Sequence, residues 1–156
     1  MYLVDTNAIS ELRKEAKGDP GVIGLFRDAS QKIFLPVQAL GEVRYGIERL
    51  KHKGDLPQAQ RVEVWFQSIL EEYSQRVLEF DRQCALAWGT LMGISDQHPI
   101  DKQIAAIALV YDLTVVTRNT GDFSGTGVRL LNPFLADLLS AGPTPARKIK
   151  SGPKPP

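Results

Sequence analysis

Four acidic residues, Asp5, Glu42, Asp101 and Asp122, are spaced far apart along the chain, and none has a salt-bridge partner set by local spacing. Asp5 closes the apolar run Tyr2-Leu3-Val4 and is followed by Thr6-Asn7. Asp101 stands two residues after Pro99, at the head of the apolar stretch IAAIALVY. Asp122 lies in TRNTGDF, just after Val115-Val116, and Glu42 lies in the stretch that begins at Pro36. Carboxylates gathered within a few ångströms repel one another and raise each other's pKa values unless a cation is present. Oxygen-only donors suit Mg²⁺ or Mn²⁺ rather than zinc, and Mg²⁺ prefers one or two carboxylates plus water and phosphate oxygens. A phosphodiester substrate matches that chemistry.

Each acid also has a plainer reading. Asp5 can cap a helix starting near Ala8. Asp101 in a first helical turn is favoured by the helix dipole. Glu42 falls off the Val37, Leu40, Val43, Ile47 stripe, near Gly46 and Arg49, where a solvated acid is ordinary. Asp122 in Thr-Gly-Asp-Phe fits turn chemistry. Whether the four do chemistry therefore depends on the elements that place them.

Short apolar runs at Tyr2 to Val4, Ile33 to Leu35, Val77 to Phe80, Leu113 to Thr117 and Val128 to Leu131 read as strands. Helical stretches separate them. One follows Pro36 and repeats apolar residues at three- and four-residue steps through Leu50. A second runs from Leu56-Pro57 through Tyr73. A third, capped by Asp81, carries Cys84, Leu86, Trp88, Leu91 and Met92. Gln103 to Tyr111 is apolar on nearly every side, which predicts a helix buried between the sheet and a further layer or subunit. Strands alternating with crossover-length helices predict an α/β fold with a mainly parallel sheet covered on both faces. In such sheets, functional groups collect beyond the carboxyl ends of the strands. Three of the four acids sit at element ends that one sheet edge can gather.

The 156 residues suit one domain, 1–140, followed by a Pro/Lys-rich tail, 141–156, expected to be disordered or ordered by a partner; a short last helix is expected to about Leu139. Nineteen basic and eighteen acidic side chains leave a net charge of +1, so overall charge does not announce nucleic acid or membrane binding. A lone Cys84, no leader-like start and no long apolar run make a cytoplasmic location the default. Cys84 reads as packing, and His52 and His98 read as surface residues outside any metal-ligand spacing. Trp65, Phe66 and Trp88 read as core.

Four segments, YLVDTNAIS, LGEVRYGI, DKQIAAIAL and VVTRNTGDF, occur in the order and at separations that resemble a PIN-domain ribonuclease, and within that group the toxin of a VapBC-type toxin-antitoxin pair. The resemblance runs from Met1 to about Phe134. It implies the PIN-like three-layer fold, with four to five strands in the sheet. It also implies metal-dependent RNA cleavage by Asp5, Glu42, Asp101 and Asp122, with Asp5, Asp101 and Asp122 holding Mg²⁺ or Mn²⁺ and Glu42 completing the site. Thr6, Asn7, Thr117 and Asn119 would orient the carboxylates. Arg118 and Lys102 flank the acids and could hold the RNA backbone, or be ordinary surface charge. Implied partners are RNA, a cognate antitoxin, operator DNA through that antitoxin, and a second copy of the chain.

Two other classes compete. A haloacid dehalogenase-type phosphotransferase also places an Asp after its first strand but needs a second Asp two residues on, where this chain has Asn7. A non-catalytic module could keep the fold for RNA or protein contact, and would have no use for four mutually repelling acids.

Overall fold

The structure, a computed structural model, describes residues 1–134. The helix expected to about Leu139 and the tail 141–156 lie outside the described residues. The elements run β1 (Tyr2–Val4), α1 (Thr6–Leu12), α2 (Pro20–Ala29), β2 (Ile33–Pro36), α3 (Val37–His52), α4 (Leu56–Glu72), β3 (Val77–Leu78), α5 (Arg82–Ile94), α6 (Pro99–Val110), β4 (Thr114–Val116) and β5 (Arg129–Leu131). The expected strand at Val77 to Phe80 pairs only over Leu35 with Val77 and Pro36 with Leu78, because Asp81 already caps α5 by accepting from Cys84 N at 2.9 Å. Helix α2 lies where periodicity had marked no element; Asp19 caps it by accepting from Gly21 N and Val22 N, ahead of Val22 and Phe26, which are buried.

All five strands are parallel, in the order β3-β2-β1-β4-β5. Period-two alternation sorts their side chains between two cores. Val4, Ile33, Leu35 and Val116 face a layer made by Ala8 and Ile9 of α1, Val22 and Phe26 of α2, Ala39 of α3 and Ile69 of α4. Leu3 and Val115 face the opposite layer, where Cys84 and Leu91 of α5 meet Ile104 through Ala108 of α6. The apolar QIAAIALVY helix is thus buried largely within the chain, as far as Ala108; Leu109, Val110 and Tyr111 remain about 40 % exposed. Truncating Ile104 or Ile107 to Ala would cost about 2–5 kcal/mol through the cavity left behind. Of the three aromatics expected in the core, Phe66 is buried, whereas Trp65 and Trp88 are half-buried.

The chain leaves β1 toward β2 and β3 on one side, then returns to lay β4 and β5 on the other. The strand order therefore reverses between β1 and β4, and a crevice opens beyond their carboxyl ends. Asp5 follows β1 directly and Thr117 follows β4 directly. No helix among the described residues is long and apolar enough to cross a membrane.

Candidate active site

Asp5 is 5 % exposed and acts first as the cap of α1, its Oδ1 accepting from Thr6 N at 2.7 Å. Its Oδ2 accepts from Asn7 Nδ2 at 2.6 Å and from the Thr117 hydroxyl at 2.8 Å. Asn7 also donates to Thr117 Oγ1 at 3.0 Å and accepts from Arg118 N at 3.1 Å. Asn119 N donates to Thr117 Oγ1 at 3.0 Å. Both ends of the Asn7 amide are thus engaged, one holding the carboxylate and the other the loop after β4. An Asp at position 7 could not donate to Asp5 when ionised, so this position fits an orienting amide and not the second acid of a phosphotransferase.

Glu42 is exposed, as its place on the α3 wheel suggested, yet its Oε2 accepts from the Thr6 hydroxyl at the head of α1. One exposed face of α3 is therefore a wall of the Asp5 crevice. Asp101 lies in the first turn of α6, and Asp122 in a short 3-10 turn at Thr120–Phe123 anchored by the buried Phe123. Gln38 Nε2 donates to Gln103 Oε1 at 3.2 Å and links the heads of α3 and α6.

The electrostatics join all four acids. Burial, with added repulsion from Glu42 and Asp101, pushes Asp5 up to about 6 against the opposing bonds from Thr117 and Thr6. Asp101 is raised as well, first by burial, then by Asp122 and Glu42, while His98 opposes the shift. The crevice accordingly brings together Asp5, Glu42, Asp101 and Asp122, with Thr6, Asn7, Thr117 and Asn119 bonded around them.

Two side chains depart from expectation. Lys102 does not flank the acids toward solvent. It is 5 % exposed, and its Nζ donates to Ser95 O at 2.7 Å and to Gln97 O, pinning the turn before α6. A buried ammonium needs such partners, and here backbone carbonyls supply them. His98 lies on the surface, but at the site: its Nδ1 is 3.7 Å from Asp101 Oδ2 and 3.7 Å from Asp122 Oδ1. Helical spacing could not have found it, because His98 precedes α6 with a left-handed backbone. Arg118 stays exposed, its guanidinium 5.1 Å from the centroid of the Phe134 ring.

Beside the acids runs a groove of about 180 Å³, lined by Thr6, Ser10, Arg13, Glu42 and Trp65 among others. It shares Arg13, Val62 and Trp65 with a larger groove of about 1010 Å³ between the end of α1 and α4.

Residues 2–127 match the PIN domain family. The chain belongs to that family. The PIN domain is 33 % identical over 141 residues to plasmid stability protein StbB of Pseudomonas syringae pv. tomato, covering 87 % of this chain and 100 % of that protein. It is 32 % identical to toxin FitB of Neisseria gonorrhoeae over 86 % of this chain and 99 % of FitB. The crystal structure of FitAcB from that organism matches with a TM-score of 0.71 at 28 % identity, over 86 % of this chain and 99 % of the other. VapC ribonuclease Y4jK of Sinorhizobium fredii is 30 % identical, over 86 % of this chain and 98 % of Y4jK. These relatives set this PIN domain among VapBC-type toxins.

Proposed function

We propose that this PIN domain is a cytoplasmic, Mg²⁺- or Mn²⁺-dependent endoribonuclease and the toxin of a toxin-antitoxin pair. The observation that carries the reading is the coupling of four carboxylates in one crevice, with the buried Asp5 held near pH 6. The donor set fits a divalent cation: all four are oxygen donors, and a cation would relieve the repulsion that raises Asp5 and Asp101. Asp5, Asp101 and Asp122 would hold the cation, with Glu42 completing the site. When bound, such a cation makes water nucleophilic at neutral pH and neutralises charge developing on the phosphate.

The chain's own residues supply orientation. Asn7, Thr117 and the Thr6 amide hold the Asp5 carboxylate in one pose, and Thr6 does the same for Glu42. Asn119 holds Thr117 in place through its backbone N–H. Arg118, at the rim, contacts the RNA backbone beside the cut. In-line attack leaves 5′-phosphate and 3′-hydroxyl ends.

The partner is a small antitoxin, through which the pair binds operator DNA, as FitAB is bound to a DNA fragment. An antitoxin segment seated over Trp65 and Val62 in the groove along α1 and α4 would lead directly to Thr6 and Glu42. A second copy of the chain is expected to pack on the apolar end of α6.

The test is cleavage of RNA by purified chain free of antitoxin, with Mg²⁺ or Mn²⁺, with EDTA, and as Asp5→Asn. Cleavage is expected only in the first arm. Cleavage that survives both EDTA and the substitution would refute the assignment.

A further inference from the structure

We infer that His98 contributes an imidazole nitrogen to the cation position between Asp101 and Asp122, and that this half of the site thereby selects a first-row transition cation over Mg²⁺. The inference rests on the cation-dependent reading above.

The geometry is that of donors arranged to share an ion. His98 Nδ1 lies 3.7 Å from one oxygen of each aspartate, and donor atoms of the three residues all lie within 4.8 Å of one another. A distance of 3.7 Å is too long for a hydrogen bond, so the imidazole donates to neither carboxylate. Two donors each about 2.1 Å from one six-coordinate ion stand about 3 Å apart when adjacent and about 4.2 Å apart when opposite. Both separations from His98 Nδ1 fall inside that interval.

The position of His98 is held from both sides. Its backbone is left-handed, with φ 51° and ψ 56°, a conformation that His tolerates better than most residues. On the preceding side Lys102 Nζ grips the carbonyls of Ser95 and Gln97; on the following side Trp88 Nε1 donates to Pro99 O at 3.2 Å. Two side chains from two helices thus hold the backbone on either side of His98. From that backbone the imidazole lies beside both aspartates without being buried.

The chemical consequence follows from donor type. Carboxylates alone serve Mg²⁺ well, whereas an imidazole nitrogen adds little for Mg²⁺ and more for transition cations, increasingly along the series from Mn²⁺ upward. Asp5 and Glu42 on the other side of the crevice keep oxygen-only character.

The experiment uses the full-length chain without antitoxin and reads metal binding, not cleavage. Mn²⁺ and Mg²⁺ are titrated by calorimetry into wild type, His98→Asn and Asp5→Asn, and the Mn²⁺-loaded proteins are examined by pulsed electron paramagnetic resonance for nitrogen coupling. Asn keeps the left-handed backbone accessible, and circular dichroism checks that the variant is folded. His98→Asn is expected to bind Mn²⁺ about 10-fold more weakly, change Mg²⁺ affinity by less than about 3-fold, and lose an imidazole ¹⁴N signal present in wild type. Mn²⁺ bound to wild type with no nitrogen coupling, or equal Mn²⁺ affinities in wild type and His98→Asn, would overturn the role of His98 and leave the carboxylate site standing. Binding of neither cation to wild type would overturn the cation-dependent reading itself, and this inference with it.

Discussion

Thr117 and Asp5, 112 positions apart, share a hydrogen bond of 2.8 Å in the buried floor of the crevice. It joins the first residue after β1 to the first residue after β4, across the point where strand order reverses. Because the hydroxyl donates to the ionised carboxylate, it holds the Asp5 pKa down against the effect of burial. Thr117→Val keeps the shape, removes that donor, and leaves Asn119 N without its acceptor. RNA cleavage at pH 7 is expected to fall about 10- to 100-fold, with the acidic limb of the pH–rate profile moved upward. An unmoved acidic limb would remove the bond from the mechanism.

Protons and cations compete for Asp5. At pH 5, about one unit below its pKa of about 6, the carboxyl is mostly protonated, and apparent cation affinity is expected to be about 10-fold lower than at pH 7.5. Thermal unfolding with and without Mn²⁺ at the two pH values checks this. A larger Mn²⁺-induced rise at pH 5 would contradict it.

The same shift has a stability sign. The folded pKa lies above the ordinary 3.8, so the native state binds the extra proton, and the metal-free protein loses stability as pH rises from about 4 through 6. About two pKa units at about 1.4 kcal/mol each set an upper bound of about 3 kcal/mol on the loss above pH 6. Asp5→Asn is therefore expected to unfold at higher temperature than wild type at pH 7.5 in EDTA, with the advantage gone near pH 4. A constant difference between these pH values would refute it.

Lys102 and Arg118 should separate cleanly. Lys102→Met keeps the aliphatic stem and leaves the Ser95 and Gln97 carbonyls without their donor, at a cost of about 1–3 kcal/mol by chemical denaturation. The salt dependence of RNA binding is expected to stay unchanged. Arg118→Ala is expected to weaken RNA binding and lower the slope of log affinity against log salt by about 0.7, the value for one single-strand phosphate contact. The reverse pattern would return Lys102 to the RNA surface.

Trp65 lines both grooves and packs against the α3–α4 core formed by Val43, Ile47, Val62 and Phe66. Trp65→Ala is expected to lower antitoxin affinity at least 10-fold while RNA cleavage by the free toxin persists. Co-purification with a co-expressed cognate antitoxin, scored against wild type, reads the first effect. Undiminished co-purification would place the antitoxin elsewhere.

Much of the fold and site could be read from local pattern. Apolar runs marked all five strands within a few residues, because buried parallel strands need short continuous apolar segments and their ends carry polar turns. The acids stood out for the same reason: Asp5 and Asp122 follow strands, and Asp101 opens a helix, so their places in the chain were already places in the sheet. Glu42 could be read as a surface acid and no more, since one helix does not reveal what faces its exposed side. The placement of Thr6 beside it required α1 and α3 to pack on the same face of the sheet.

The sequence by itself determined the donor types, the order of the strands along the chain and the carboxyl edge at which the acids gather, because these follow from hydrophobic period and chain connectivity. Tertiary structure alone decided where Lys102 and His98 point. A long side chain near a helix start can reach solvent or turn back on its own loop. The choice here falls to the carbonyls of Ser95 and Gln97 and to Trp88 on the neighbouring helix, contacts that no spacing along the chain specifies.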